Sequence, residues 1–146
     1  MKQSDIWWTA PTEAESGRTV IVTGRDRVEP WKDSGRYTAR VDVSWRYQSR
    51  PDGMPEDDDA RLMEQATDAL KEAFRKENCA IMTGIYTGDG ERDWVFYVRN
   101  LRAFGIVFNK ALEELPTIPM LIEAADDPQW EEYADMRSMT YIPDAD

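Results

Sequence analysis

The sequence predicts a single α+β domain in which helices cover a sheet, and three observations support this class. The chain has 146 residues, which is enough for one domain with one hydrophobic core. Apolar residues recur at every second position in some segments and at helical spacing in others. Turn-forming residues separate these segments, so each of them predicts one strand or one helix.

The first half of the chain predicts two strands and a helix. Residues 19–23 are β-branched throughout, which is typical of a strand, and residues 30–35 are rich in turn-forming residues. From 36 to 48, apolar and polar residues alternate, so one face of this strand should be buried and the other polar. The acidic run 56–59 favours a helix start, because carboxylates complement the helix dipole. One apolar stripe follows at helical spacing, formed by Leu62, Met63, Ala66, Ala69, Leu70, Ala73 and Phe74.

The middle of the chain predicts a hairpin and a second helix. Strands at 79–87 and 91–99 flank the tight turn Gly88-Asp89-Gly90. Asn100 then provides an N-cap for a helix that Pro116 ends. The apolar stripe of this helix consists of Leu101, Phe104, Phe108, Ala111, Leu112 and Leu115.

The last part of the chain predicts a short strand and a terminal helix. The strand covers residues 118–123. Asp127 and Pro128 supply the N-cap and the first-turn proline of a small helix. Trp130 and Tyr133 should lie on one face of that helix, because residues three apart are neighbours.

The predicted elements run β-β-α-β-β-α-β, followed by the terminal helix. Without the first strand this is βαββαβ, the order of ferredoxin-like domains. We therefore predict a ferredoxin-like core with an extra N-terminal strand, a short C-terminal helix, and both main helices on one face of the sheet. Residues 18–146 should form this single domain, and residues 1–17 an N-terminal arm that packs through its tryptophans. Because the aromatic residues at 94–97 point to both sides of their strand, a tryptophan should cover the second face: Trp7, Trp8 or Trp31.

The composition argues against several classes of function. With 29 acidic and 18 basic residues the formal net charge is −11, so nucleic acid is not expected as a direct partner. Histidine is absent, which removes the usual general base and the usual neutral metal ligand. The single cysteine, Cys79, excludes a disulfide framework and a zinc cluster. No apolar run is long enough for a signal peptide or a membrane helix. We expect a cytoplasmic protein with no metal, no other cofactor and no membrane partner.

The negative charge is concentrated near the C-terminus. Between Lys110 and Arg137 there are eight acidic residues and no basic residue. One interpretation is a solvated face that aids solubility. The other is a docking surface for a basic partner, because complementary charge raises the association rate and selects the partner. Under the second interpretation the predicted partner-binding residues are Glu123, Asp126, Asp127, Glu131, Glu132 and Asp135.

Three further features suggest chemistry, and two of them have a simpler explanation. The run 56–59 lacks the alternating ligand pattern of a calcium loop, and its acidic residues are explained by the helix dipole. Cys79 has no histidine to activate it and is better explained as a small buried apolar residue. Asp93 with Arg92 supports an alternative function, a small hydrolase or ligand-binding enzyme that uses carboxylates. We nevertheless assign no catalytic residues.

Several short motifs resemble a known bacterial family. They are Trp45-x-Tyr47, Gly53-Met54-Pro55, Thr83-Gly84 with Tyr86-Thr87-Gly88, Arg92-Asp93-Trp94-x-Phe96-Tyr97, and Asp126-Asp127-Pro128-x-Trp130-x-x-Tyr133. Their order and spacing over residues 36–135 resemble the uncharacterised family catalogued as domain of unknown function 695. That family is similar in architecture to the B-type regulators of ribonuclease E activity, small acidic ferredoxin-like proteins that bind and restrain an enzyme and catalyse nothing. The resemblance implies a binding or inhibitory module, with no catalytic residues to carry over.

Three hypotheses about function follow from the sequence. The leading one is a non-enzymatic acidic protein that inhibits or regulates a protein partner with a basic surface, such as a toxin or a nuclease. Small acidic bacterial proteins of this size often serve as immunity proteins, which is an analogy. The second hypothesis is the carboxylate enzyme. The third is a structural subunit that self-assembles through an aromatic surface containing Trp130 and Tyr133. For the leading hypothesis we expect a monomer or a weak dimer.

Overall fold

The computed structural model describes residues 2–143, which form a six-stranded antiparallel sheet and four helices. This confirms the α+β class. Across the sheet the strand order is β1-β2-β4-β5-β3-β6. No helix within the described residues is long and apolar enough to cross a membrane. In chain order the elements are β1 (Trp7–Glu13), β2 (Thr19–Arg25), α1 (Glu29–Asp33), β3 (Ala39–Arg46), α2 (Asp57–Lys76), β4 (Ala80–Gly88), β5 (Glu91–Val98), α3 (Leu101–Leu112), β6 (Met120–Asp126) and α4 (Glu131–Thr140).

Each face of the sheet has its own hydrophobic core, because successive side chains of a strand point to opposite sides. Helices α2 and α3 lie on one face, called here the α2/α3 face. Phe74 of α2 and Phe104 of α3 stack there with ring centroids 5.2 Å apart, and both rings pack against Phe96 of β5. Helix α4 lies on the other face, called the α4 face, where Trp130 stacks on Tyr97 of β5 at 4.2 Å. The two main helices therefore share one face, as the sequence predicted.

The N-terminal region contains more regular structure than the sequence predicted. Part of the segment predicted as an arm, residues 1–17, is strand β1, which pairs with β2 along its whole length. Two strands and the short helix α1 therefore precede β3, where one strand was expected. Trp8 and Trp31 lie in the core of the α4 face, as predicted for the second face, whereas Trp7 packs against the other core. Residues 144–146 of the predicted domain lie outside the described residues.

The terminal helix begins later than predicted. Asp127 was expected as its N-cap and Pro128 in its first turn, whereas α4 starts at Glu131. Trp130 precedes the helix in the left-handed conformation, with φ 55°, which costs a residue with a Cβ on the order of 1–2 kcal/mol. This conformation is compensated by burial, since the indole is 1% exposed and its N–H donates to the Tyr37 carbonyl at 2.8 Å. Burial of this ring and its hydrogen bond therefore stabilise the observed start of the helix.

Candidate functional site: an acidic cleft on the α4 face

A polar cleft of about 320 Å³ opens on the α4 face, between α4 and the strands β3, β4, β5 and β6. Its floor consists of side chains that point to this face at every second strand position. Four carboxylates and one arginine line it, and we call it the acidic cleft. The lining residues are Arg40, Asp42 and Ser44 of β3, Tyr86 of β4, Asp93 and Val95 of β5, Glu123 of β6 and Glu132 of α4.

The single arginine of the acidic cleft is already engaged. Arg40 Nε lies 3.2 Å from Asp42 Oδ2, and its Nη1 lies 3.3 Å from Asp127 Oδ2. Glu123 is directly opposite Asp42 in the β3–β6 ladder. Like charges in this cross-strand position are destabilising. Within residues 2–143, no basic side chain forms an ion pair with Glu123, so the cleft has an excess of negative charge.

Two of the carboxyl groups in the cleft titrate near neutrality. Burial raises the pKa of Asp93 to about 7, and the neighbouring Glu91 and Asp42 act in the same direction. Asp93 Oδ1 has no hydrogen-bond partner among the described residues. Burial also raises the pKa of Glu132 to about 7, although its carboxylate accepts a hydrogen bond from the Tyr86 hydroxyl at 3.0 Å. Carboxyl groups with such raised pKa values take up a proton or favour an approaching cation.

Asp127 holds α4 in place beside the cleft. Its carboxylate accepts hydrogen bonds from the backbone N–H groups of Glu131 at 2.8 Å and Glu132 at 3.2 Å. It also accepts a hydrogen bond from the Tyr97 hydroxyl at 2.6 Å. Burial opposes ionisation, but these hydrogen bonds, together with the charge of Arg40, lower the pKa of Asp127. The side chain is only 5% exposed, so it has almost no surface to offer a partner.

The six predicted partner-binding residues occupy three different environments. Asp127 is buried, and Glu132 is half-buried with its carboxylate in the acidic cleft. The other four are exposed, and within residues 2–143 none of them belongs to an ion pair. We call these four the acidic surface: Glu123, Asp126, Glu131 and Asp135. Glu123 also lines the cleft, so the acidic surface adjoins the acidic cleft at this residue. Asp126 lies opposite Ala39 in the ladder and therefore on the other side of β6.

Asp93 and Arg92 do not come together, although the enzyme hypothesis paired them. Consecutive residues of a strand point to opposite faces. Arg92 therefore lies on the α2/α3 face, where it donates to Thr67 Oγ1 at 2.9 Å and to Thr87 Oγ1 at 2.6 Å. Asp93 lies in the acidic cleft. In the described part of the chain, no group of three or more acidic or cysteine side chains is arranged to hold a metal ion.

The aromatic surface required by the self-assembly hypothesis is not formed by the residues that suggested it. Trp130 is 1% exposed and Tyr133 is 7% exposed, and both belong to the core of the α4 face. The Tyr133 hydroxyl donates to the Arg25 carbonyl at 2.6 Å. Both rings therefore attach α4 to the sheet.

Four polar residues of the cleft were not among the predicted site residues: Arg40, Asp42, Ser44 and Tyr86. One signal was available, because the alternation at 36–48 places Asp42 and Ser44 on the polar face of their strand. The sequence does not show that β6 lies beside this strand or that α4 closes one side of the cleft.

Fold and site together define an α+β protein with an antiparallel sheet, a separate core on each face and an acidic cleft beside its last helix. The chain belongs to a family of unknown function, DUF695, whose model matches residues 8–136. The match runs from β1 into α4, and it confirms the family that the sequence motifs indicated. A search of curated proteins found no match, and a search of solved structures found none either.

Proposed function

We propose that this protein is a non-enzymatic binding protein that inhibits or regulates a protein partner with a basic surface. The observation that carries the proposal is the absence of internal counter-charges. Glu123, Asp126, Glu131 and Asp135 are exposed, and no basic residue within 2–143 pairs with them. Lysine and arginine residues of a partner would supply the missing positive charge and would steer its approach.

The acidic cleft gives this surface a site for one cationic side chain. Asp42 and Glu123 repel each other across the β3–β6 ladder. Asp93 and Glu132 line the same cleft. A lysine or arginine side chain entering it would relieve that repulsion. It would also lower the pKa values of Asp93 and Glu132, so that binding near neutral pH would release protons.

The finer architecture supports the same proposal. The elements β3-α2-β4-β5-α3-β6 follow the βαββαβ order, and the four strands are neighbours in the order β6-β3-β5-β4. We infer a ferredoxin-like core that β1, β2, α1 and α4 extend. Such a core agrees with the expected similarity to the B-type regulators of ribonuclease E activity. The proposal includes a nuclease or a toxin as the partner. It also includes the cytoplasm as the location.

The proposal is tested by reversing the charge of the acidic surface. The test variant carries Glu123→Lys, Glu131→Lys and Asp135→Lys, which leaves the half-buried Glu132 intact. The control carries Glu64→Lys, Asp68→Lys and Glu77→Lys, three exposed acids outside the acidic surface. Each reversal adds two positive charges, so both variants have a net charge of −5 in place of −11.

The assay is affinity capture from the native host, followed by measurement of association rates with the captured protein over a salt series. We expect wild type and control to capture the same protein. The test variant should associate about tenfold more slowly at low salt, and the difference should shrink as salt screens the charges. Equal association rates for the test and control variants would contradict the proposal.

A second candidate function, a carboxylate enzyme, is supported by one observation. Asp93 is half-buried in a cleft, with its pKa raised to about 7 by burial, and carboxyl groups of this kind serve as general acids or bases. Native mass spectrometry of the purified protein tests it. A small molecule that is bound by wild type and lost in Asp93→Asn would favour the enzyme, whereas identical unliganded spectra would count against it.

A further inference from the structure

The two edges of the sheet differ in their ability to accept another strand. Strand β1 forms one edge and β6 the other. In the β1–β2 ladder the Ala14 N–H donates to the Arg18 carbonyl at 2.9 Å. Because hydrogen-bonded pairs alternate along an antiparallel ladder, Pro11 lies where an N–H would point away from β2. Proline has no N–H, so the outer side of β1 is interrupted at this position.

The outer side of β6 has no such interruption. The Asp127 N–H donates to the Thr38 carbonyl at 2.8 Å. By the same alternation, the peptide groups of Ile122 and Ala124 point away from β3. The strand contains neither proline nor lysine, the residues that commonly protect an edge, and it is exposed from Leu121 onwards. Within the described residues no strand pairs with this side of β6.

The two faces of β6 differ in chemistry at the centre of this edge. Ile122 lies opposite Val43, so it is on the α2/α3 face, where it is 47% exposed. Glu123 lies opposite Asp42, so it is on the α4 face and lines the acidic cleft. At the centre of the edge an added strand would therefore meet the apolar Ile122 on one face and the carboxylates of the cleft on the other. By the same alternation the exposed Leu121 lies on the Glu123 face and Asp126 on the Ile122 face.

We propose that β6 is a docking edge, which takes up an extended segment of the partner by strand addition. The segment that fits alternates apolar and basic residues, with the basic residues beside Glu123 and the apolar ones beside Ile122. The inference rests on the proposed function, because it names the part of a basic partner that the acidic surface receives. Backbone hydrogen bonds to the outward peptide groups provide affinity, and the alternating side chains provide specificity.

A second copy of this chain fits the edge poorly. Full antiparallel overlap of two β6 strands would place the two Glu123 side chains directly opposite each other. Like charges in that position are destabilising, and each copy has a net charge of −11. The charge of the edge therefore favours a basic segment over self-pairing.

The test uses a synthetic peptide of alternating lysine and valine, seven residues long to match β6. Titration calorimetry gives its affinity, and amide hydrogen exchange followed by NMR locates its position. We expect binding with slower exchange at Ile122 and Ala124. Ala124→Pro removes one outward N–H and leaves the β3 ladder intact, so binding should weaken about tenfold, the effect of losing one backbone hydrogen bond. Ala124→Thr is the matched control, since it keeps this N–H and should bind as wild type does.

A second measurement does not depend on how the protein variant folds. The same peptide, N-methylated at every residue, has no backbone N–H to donate on either edge and should not bind. If the methylated peptide binds as tightly as the parent, or if exchange at Ile122 and Ala124 is unchanged, the docking edge is overturned. The double variant Glu131→Lys with Asp135→Lys separates this inference from the proposed function. If the double variant binds the peptide more weakly while Ala124→Pro binds it as wild type does, the acidic surface is retained and the edge is rejected. If Ala124→Pro binds more weakly while the double variant binds as wild type does, the edge is retained and the acidic surface is rejected.

Discussion

Replacing Asp127 with alanine should destabilise the protein by about 2–5 kcal/mol, because one carboxylate satisfies several groups at once. Loss of the two hydrogen bonds to the α4 N-terminus costs about 1–2 kcal/mol, as for other helix caps. The Tyr97 hydroxyl, which is buried and donates to Asp127 at 2.6 Å, would lose its acceptor at a further cost of about 1–3 kcal/mol. The partly exposed Arg40 keeps Asp42 as a partner, so the loss of its ion pair with Asp127 adds little to the cost of the substitution.

The assay for this prediction is urea unfolding followed by tryptophan fluorescence. The neighbouring Asp126 provides the control, since it is exposed and has no ion-pair partner within residues 2–143. Asp126→Ala should change the free energy of unfolding by no more than about 0.5 kcal/mol. Because the pKa of Asp127 is lowered in the folded state, its contribution is present above a pH of about 4 and disappears as the pH falls further. If the two alanine variants differ by less than about 1 kcal/mol at pH 7, the structural role assigned to Asp127 is refuted.

Two further predictions concern the same face of the sheet. Trp130→Ala should lower the free energy of unfolding by about 3–5 kcal/mol, because the ring is fully buried. Trp7→Ala should lower it by less, because that ring is half-exposed, and thermal unfolding compares the two variants. Glu132→Gln should stabilise the protein by about 1 kcal/mol at pH 8 and have little effect at pH 5, after allowance for solvent screening. The sign follows from the raised pKa of Glu132, about 7 against an ordinary 4.5, which makes wild-type stability fall as the pH rises between these values. An equal effect of Glu132→Gln on the melting temperature at both pH values would contradict this.

Local sequence patterns were sufficient for the elements that have a strong period. The alternation in 36–48 marks β3, the apolar stripe after residue 59 marks α2, and Gly88-Asp89-Gly90 marks the hairpin. Strand β1 was missed because Pro11 and short polar residues hide its alternation. The start of α4 was misplaced because the left-handed turn at Trp130 is determined by packing on Tyr97, a residue distant in the sequence.

The candidate site was less predictable than the fold, because its residues come from five elements. Acidic composition indicated the correct region, but it could not separate Asp127, which is buried under α4, from Asp126, which is exposed. That difference depends on Arg40 and Tyr97, which lie 87 and 30 residues away in the chain. The pairing of Asp93 with Arg92 failed for a simpler reason, since neighbours on a strand point to opposite faces.

Pro11 has a consequence for the stoichiometry of any complex built by strand addition. A sheet with two open edges can add molecule after molecule and grow into a fibre. In this protein a segment added at β6 reaches a sheet whose far side is interrupted at Pro11. Growth through both edges is therefore blocked at β1, and we expect strand addition at β6 to give a finite one-to-one complex.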